Sequence, residues 1–225
     1  MKCRWTLIAL GLVVAAPAMA AGVDIAWDDC LGESDATSLK AFACNTNVGY
    51  ESLWVSFESS VPSSRCMVLE VAIQFQTRSG SPLPVWWNFQ DWASCRREGL
   101  TVDPAPPYET PICTRTFTSA NAPTFVVDRI NYQFPSADVG TMVVAAMVGA
   151  PLVANQRYLA CRFLLSHAKT LVCAGCSEPA SVTVTGVHVD GVILTNPITS
   201  NVAYWQSLPT ATRPVTWSAL KRLYH

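Results

Sequence analysis

Alternation of apolar and polar residues recurs along this chain and predicts β-strands, because successive side chains of a strand point to opposite faces. The clearest run is residues 67–76, in which every second residue from Met67 to Phe75 is apolar. Residues 141–148 are almost continuously apolar, as in a central strand. The other runs with strand character are 51–57, 126–134, 159–166, 182–189, 192–194 and 202–205.

Clusters of proline and glycine separate these runs, for example at residues 79–82, 104–107 and 149–151. Many short strands divided by turn signals are typical of an all-β fold, here an antiparallel β-sandwich that is immunoglobulin-like or jelly-roll-like. Within residues 182–189 the apolar phase changes at Gly186, which predicts a β-bulge.

The C-terminus departs from the β pattern. Residues 207–215 contain two prolines and predict a linker. Thr216 is a suitable N-cap for a short helix, whose apolar stripe is Trp217, Leu220, Leu223 and Tyr224. We therefore assign residues 21–206 to the sandwich and 207–225 to a linker and helical tail. The tail can dock onto its own domain, dock onto a partner or be read by an export or attachment system.

Residues 1–20 have the three parts of a secretory signal peptide. Lys2 and Arg4 form the positive start, an apolar run follows, and Ala18-Met-Ala20 matches an A-x-A cleavage site. We expect cleavage after Ala20 and a secreted product, extracellular or at the cell surface, with the periplasm as the alternative. No later apolar run approaches the roughly 20 residues of a spanning helix, so no membrane span is expected after signal removal.

Composition narrows the classes of function. Hydrophobic residues make up 50% of the chain and charged residues only 14%, which excludes a disordered protein. Removal of Lys2 and Arg4 takes two of the 15 basic residues and leaves all 16 acidic ones, a formal charge of −3. Such a chain has no positive field for phosphates, so nucleic acid is not an expected partner.

The cysteines indicate a disulfide framework. Cys3 lies in the signal, so eight of the nine cysteines remain, enough for four disulfides in an oxidising compartment. Pairing by nearness along the chain, with the two strand cysteines left for each other, predicts four bridges: Cys30–Cys44, Cys66–Cys161, Cys95–Cys113 and Cys173–Cys176.

The Cys173-Ala-Gly-Cys176 loop has an alternative in which two bridges leave it for elsewhere. A redox role is disfavoured, because no helix follows to lower a thiol pKa. A zinc site is disfavoured because the other cysteines do not have the spacing of a second ligand pair.

Five groups of residues stand out as motifs: Phe42-Ala-Cys-Asn-Thr-Asn47, Leu83-Pro-Val-Trp-Trp-Asn-Phe89, Ser94-Cys-Arg96, His167-Ala-Lys-Thr170 with Cys173-Ala-Gly-Cys176, and Thr216-Trp-Ser-Ala-Leu-Lys-Arg-Leu-Tyr-His225. Together they resemble a family of secreted proteins of environmental Gram-negative bacteria, whose chains typically end in Thr-Trp-Gly-x-x-Lys-x-x-Tyr-Arg. Ser218 and His225 depart from that ending. The resemblance implies a secreted β-rich fold, and it transfers no catalytic residue because the family has no assigned activity. Cys66 and Cys161 occupy strand positions where apolar residues are expected, which supports an added pair.

Candidate catalytic and metal-binding residues are few. His167 and His188 are the histidines that a Ser-His-Asp triad would use, and the sequence has no G-x-S-x-G motif. Asp24, Asp28 and Asp29 cluster, but their pattern matches no EF-hand, and we interpret them as solvated. We predict no catalytic residue, no metal and no cofactor.

The feature with binding potential is aromatic. Trp86, Trp87, Phe89 and Trp92 lie within seven residues, beside amide side chains, and Trp54 lies opposite the apolar face of its strand. In a strand, Trp86 and Trp87 point to opposite faces, so one ring can stack on a sugar while the other is buried. The candidate ligand-binding residues are therefore Trp54, Trp86, Trp87 and Trp92. The alternative is that these rings fill the core.

We expect an exported, non-enzymatic protein that binds or builds an extracellular surface, with a polysaccharide or a cell-surface protein as partner. The alternative is a secreted hydrolase with an unrecognised site. That alternative requires a pocket that holds His167 or His188 near a carboxylate.

Overall fold

The computed structural model describes residues 21–77, 81–89, 95–103, 113–115, 126–127 and 133–206. The strands of these ranges are β1 Gly22–Trp27, β2 Leu39–Lys40, β3 Tyr50–Glu58, β4 Ser63–Thr77, β5 Leu100–Asp103, β6 Thr114–Arg115, β7 Val126–Val127, β8 Gln133–Ser136, β9 Val139–Leu152, β10 Arg157–Ser166, β11 Ala180–Val189, β12 Val192–Leu194 and β13 Val202–Trp205. In this described part no helix is long and apolar enough to cross a membrane. The predicted signal peptide with its predicted cleavage after Ala20, the predicted tail 207–225 and Trp92 lie outside it.

The strands form two mostly antiparallel sheets that pack as a sandwich. The smaller sheet has the order β1-β3-β10-β5, with β6 beside β10. The larger sheet has the order β2-β13-β11-β4-β9-β7, with β12 beside β11 and β8 beside β9. The all-β sandwich predicted from the alternation is confirmed.

Period-two alternation builds the core between the sheets. In β4, the alternating residues from Leu69 to Phe75 are at most 2% exposed. Met67 has the same phase in the sequence but is 40% exposed, because the pairing of β4 with β9 shifts register around Cys66 and Val68. The predicted alternation of buried and exposed residues in β4 is therefore correct from Leu69 to Phe75 and wrong at Met67, beside the register shift.

Two strands show what alternation detects and what it misses. The pairing of β11 with β4 shifts register between Val184 and Gly186, which confirms the predicted bulge. β1 was not predicted, because Asp24 was grouped with solvated acidic residues, although Val23, Ile25 and Trp27 alternate in this strand and all six of its residues are buried. Asp24 in β1 is 0% exposed, so its interpretation as a solvated residue is wrong.

Asp24 is buried with partners. Its Oδ1 accepts the backbone N–H groups of Thr199 and Ser200, each at 2.7 Å, and its Oδ2 lies 3.2 Å from Arg157 Nη2. Burial raises the pKa of Asp24, and these N–H groups and Arg157 oppose that shift without cancelling it. The side chain of Asp24 therefore stabilises the loop at 199–200, and its burial keeps it out of contact with cations in the solvent.

The disulfides differ from every predicted pair. The described residues hold the bridges Cys30–Cys113, Cys44–Cys176 and Cys95–Cys173, with Cα–Cα distances of 6.3, 5.7 and 5.8 Å. The predicted pairs Cys30–Cys44, Cys95–Cys113, Cys173–Cys176 and Cys66–Cys161 are wrong, and Cys66 and Cys161 are free thiols.

Pairing of neighbours failed because the sandwich brings together loops that are 83, 132 and 78 residues apart in sequence. The observed arrangement is the alternative in which two bridges leave the 173–176 loop. Three disulfides fit an extracellular or periplasmic location.

The strand directions place the loops at two opposite ends of the sandwich. β3 runs from Tyr50 to Glu58, and β11 pairs Ala180 with Thr77 and Val189 with Leu69. The end near Tyr50 and Ala180 carries loops 41–49, 95–99 and 167–179 and two disulfides, and we call it the disulfide end. The other end carries loops 59–62, 153–156 and 190–191, and we call it the cleft end.

Candidate functional site

Four of the five sequence motifs meet at the disulfide end. The bridge Cys44–Cys176 joins the first motif to the Cys-Ala-Gly-Cys loop, and Cys95–Cys173 joins that loop to the Ser-Cys-Arg motif. The backbone N–H of Trp86 donates to Ala174 O at 3.2 Å, which attaches the Trp-Trp motif to the same loop. The fifth motif, Thr216 to His225, lies outside the described residues.

Trp86 and Trp87 lie in a 3₁₀ turn, Val85–Trp87, and not in a strand. Consecutive residues of a 3₁₀ turn are about 120° apart, so two neighbours can both point inward. Both side chains are 0% exposed, and the reading in which one of the rings faces a sugar does not hold. Both rings pack in the core, which is the alternative given for them in the sequence analysis.

An aromatic cluster fills the core beneath this end. Trp205 lies 4.8 Å from Trp86, 5.2 Å from Trp87 and 5.5 Å from Trp27, measured between ring centroids. The indole N–H of Trp205 donates to Cys176 O at 2.8 Å, and that of Trp27 donates to Tyr204 O at 2.8 Å. Trp205 and Trp27 therefore combine large apolar area with satisfied donors.

Arg96 is the buried cation of this end, with 0% exposure. Its guanidinium lies 4.2 Å from the centroid of Trp86, and its N–H groups donate to the carbonyls of Ser166 and Ala168. Burial lowers the pKa of Arg96 to about 10, so the group is still cationic at neutral pH. Arg96 thus fixes the start of the 167–179 loop against the aromatic cluster. The sequence shows it only as a neighbour of Cys95.

His167 lies at one end of a chain of polar contacts. Its Nε2 lies 3.0 Å from Glu51 Oε1, Lys40 Nζ lies 3.0 Å from Glu51 Oε2, and Lys40 Nζ lies 2.6 Å from Asp28 Oδ2. Burial alone would lower the pKa of Lys40, but the bonds to Asp28 and Glu51 outweigh it and raise that pKa. The ring of His167 also packs 4.7 Å from that of Phe42.

This geometry gives His167 no substrate-facing role. The side chain is buried, and Nδ1 has no hydrogen-bond partner among the described residues, so no hydroxyl or thiol there is positioned for activation. His188 pairs with Glu70 at 3.2 Å on the outer face of the larger sheet, where both side chains are about two-fifths exposed, at 40% and 42%. Neither histidine lines the cleft described below.

Four apolar side chains stand on the surface of the disulfide end. Val48, Tyr50, Leu171 and Val172 are 81%, 65%, 58% and 76% exposed, and we call them the rim. Their loops are bonded to each other: Asn47 Oδ1 accepts the N–H of Leu171 at 3.0 Å, and the carbonyl of Gly49 accepts the N–H of His167 at 2.8 Å.

Gly175 holds the loop behind the rim close to the Trp-Trp motif. It has φ +101°, and a Cβ at this position would collide with the Pro84 ring. Only glycine fits both constraints, which explains the third residue of the Cys-Ala-Gly-Cys loop. The rim is therefore carried by loops with little freedom to collapse.

The cleft end has a cleft of about 320 Å³ with both polar and apolar side chains in its lining. Its lining residues are Ser59, Val61, Pro62, Ser63, Ser64, Val189, Asp190 and Val192. Asp190 (φ +47°) and Gly191 (φ +87°) form the two-residue turn between β11 and β12, a turn that the Asp-Gly dipeptide could have signalled. The carboxylate of Asp190 accepts Ser63 Oγ–H at 2.9 Å and the N–H of Met67 at 2.7 Å, so it serves the local backbone.

The two free thiols are buried and unreactive. Burial raises the pKa of Cys66 to about 12, with Asp190 adding to the shift, and burial also raises the pKa of Cys161. A nucleophilic cysteine needs the opposite shift. Within the ranges that the structure describes, no group of three or more His, Cys, Asp or Glu side chains can hold a metal ion.

Trp54 lies on the outer face of the smaller sheet and is 5% exposed. It clusters there with Cys30, Cys113 and Leu159, and Arg162 lies 5.6 Å from its ring. It is not an open stacking surface, although the sequence placed it correctly on the face opposite Leu53.

No protein-family model matches this chain, and no curated protein is significantly similar to it.

Proposed function

We propose that the protein is an exported, non-enzymatic binding module whose rim contacts a protein at the cell surface. The observation that carries the proposal is the rim itself, four apolar side chains that are at least 58% exposed. Three of them lie on loops joined by a disulfide, and Tyr50 begins β3 beside them. Grouped exposed apolar side chains mark interaction surfaces, and rigid loops lose little entropy on binding.

A protein partner is favoured over a polysaccharide by the chemistry of the rim. Sugar stacking needs the open faces of aromatic rings. Trp54, Trp86 and Trp87 are at most 5% exposed, which leaves Tyr50 as the one aromatic ring of the rim. The rim offers three aliphatic side chains and one tyrosine, a composition that suits the centre of a protein interface.

The hydrolase alternative has less support. Both histidines do lie beside a carboxylate, at 3.0 and 3.2 Å. However, one ring is buried and already bonded to Glu51, and the described cleft contains neither histidine. A site needs a nucleophile or an activated water within reach of the base, and these rings have none among their described partners.

The test is binding of the labelled full chain to the cells that produce it. A rim variant, Val48→Ser with Leu171→Ser and Val172→Ser, is compared with a matched variant of the cleft end, Val61→Ser with Val192→Ser and Ile193→Ser. We expect the rim variant to bind about 10-fold more weakly or worse and the control variant to bind like the parent.

Protease treatment of the cells before binding separates the partner classes. Loss of binding after treatment supports a protein partner. The proposal is wrong if the parent chain does not bind, if both variants bind equally, or if binding survives protease and a glycan array identifies a sugar.

A further inference from the structure

The described chain ends at the base of the rim. The N–H of Gln206 donates to Lys40 O at 2.7 Å. Its side-chain amide donates to Phe42 O at 3.1 Å and contacts Cys44 Sγ at 3.2 Å. The described chain therefore ends beside the bridge Cys44–Cys176, which joins the two loops that carry most of the rim.

The rim is within easy reach of the tail. Val48 is four residues from Cys44, so it lies within about 14 Å of that bridge along the chain. The eleven residues from Gln206 to Trp217 can span up to about 40 Å. A connection this short gives an effective concentration in the millimolar range, far above that of a separate molecule.

The tail and the rim match in chemistry. The stripe of Trp217, Leu220, Leu223 and Tyr224 is apolar along one side of the predicted helix, and Lys221 and Arg222 keep the other side polar. An amphipathic helix of this type binds by laying its apolar side on an exposed apolar surface. At the disulfide end, the rim presents such a surface, and Val85 is a further exposed apolar residue of this end.

We propose that residues 216–224 dock as an amphipathic helix on the rim of their own chain and cover it until a partner displaces them. The consequence for partner binding rests on the proposed function, whereas the docking itself does not. The tail is then a built-in competitor for the binding surface, and a partner must bind the rim more tightly than the tail does.

The test places a photo-crosslinking amino acid, benzoylphenylalanine, at position 220 of the full chain. The matched control carries it at position 218, about 200° away around the helix and so on the opposite side. We expect crosslinks from position 220 to peptides containing residues 45–50 or 168–173, and few from position 218. In the variant Val48→Ser with Leu171→Ser and Val172→Ser, the crosslinks disappear while the circular dichroism and thermal midpoint are those of the parent.

Mixing ¹⁴N-labelled and ¹⁵N-labelled chains identifies which copy supplies the tail. Crosslinks within one isotope support docking in the same chain, and mixed-isotope crosslinks overturn it in favour of assembly between copies. Equal crosslinking from positions 218 and 220, or crosslinks that persist in the rim variant, also overturn the proposal.

Trypsin cleavage after Lys221 and Arg222 is a second readout that needs no crosslinker. We expect it to be about 10-fold faster in the rim variant, because cleavage follows the undocked population. An unchanged rate contradicts docking.

The two proposals fail in different ways. If position 220 crosslinks to the rim but the protein binds no cells, the proposed function is wrong and the docking is still supported. If the protein binds cells through the rim, no crosslink forms, and the tail variant Leu220→Ser with Leu223→Ser binds cells like the parent, the docking is wrong and the proposed function is still supported. If both hold, this tail variant binds cells several-fold more tightly than the parent.

Discussion

The two ends of the sandwich are held together by different kinds of interaction. At the disulfide end, two disulfides, the buried Arg96 and the rings around Trp86 fix the loops from below. At the cleft end, hydrogen bonds join the described loops. Asp190 bonds Ser63 and the backbone of Met67 in exposed positions, and the N–H of Asn155 donates to Ser59 O at 2.7 Å.

This difference determines what each end can display. Exposed hydrogen bonds contribute only about 0.5–1.5 kcal/mol each, whereas a disulfide that closes a long loop contributes about 2–5 kcal/mol. Loops fixed by buried and covalent contacts can carry exposed apolar side chains without folding over them. The disulfide end is therefore suited to binding, and the cleft end to closing a hairpin.

The largest expected effect separates bonded from free cysteines. Cys44→Ser with Cys176→Ser should lower the free energy of unfolding by about 3–5 kcal/mol, because it opens a loop of 132 residues. Cys66→Ala, at the other end of the core, should cost about 1 kcal/mol. Urea unfolding measures both, and equal midpoints for the two variants would contradict the contrast.

The second effect compares neighbouring arginines. Arg96→Met leaves the carbonyls of Ser166 and Ala168 without this donor and should cost about 2–4 kcal/mol. Arg97→Met is the matched control, since its side chain is 42% exposed and lies 3.9 Å from that of Glu98, and it should change stability by less than about 0.5 kcal/mol. Similar thermal midpoints for both variants would mean that Arg96 does not organise this end.

A smaller effect is expected at the cleft end. Asp190→Ala removes the acceptor for Ser63 and Met67 and places alanine at φ +47°, so we expect a loss of about 1–2 kcal/mol. Asp190→Asn keeps an acceptor and tolerates this backbone conformation, and should cost less than about 0.5 kcal/mol. Urea midpoints should therefore rank parent, Asn and Ala in that order. A larger loss for Asn than for Ala would refute the role given to the turn.

The smallest effect is a pH dependence at Asp24. Its pKa in the folded protein is raised by burial, so the folded state binds its proton more tightly than the unfolded state does. The stabilising contribution of this group is present below the unfolded pKa of 3.8 and is lost as pH rises through the folded pKa. The stability of the parent relative to Asp24→Asn should therefore increase as pH falls from neutral towards 3.8, as followed by chemical unfolding at each pH. A relative stability that decreases over this window would contradict the raised pKa.

The sequence predicted the local features of the fold better than those of the site. β12 Val192–Leu194 and β13 Val202–Trp205 begin and end where their runs predicted, and the bulge at Gly186 is present. The site residues Trp86 and Trp87 were assigned to a strand, since a three-residue 3₁₀ turn leaves no periodic signal. The burial of Arg96 was not predicted, because the sequence around a buried arginine does not differ from that around a surface arginine.

What the sequence by itself determined is most of the strand phases and the bulge at Gly186, since a period of two residues and a glycine at a bulge are properties of a few neighbouring residues. Its turn signals were less accurate, because the predicted break at 149–151 lies inside β9 Val139–Leu152. What only the tertiary structure decided is which loops meet. The bridge Cys44–Cys176, the stacking of Arg96 on Trp86 and the burial of Asp24 each depend on contacts between segments far apart in the chain. Such contacts exist only after the two sheets have packed, so no local pattern encodes them.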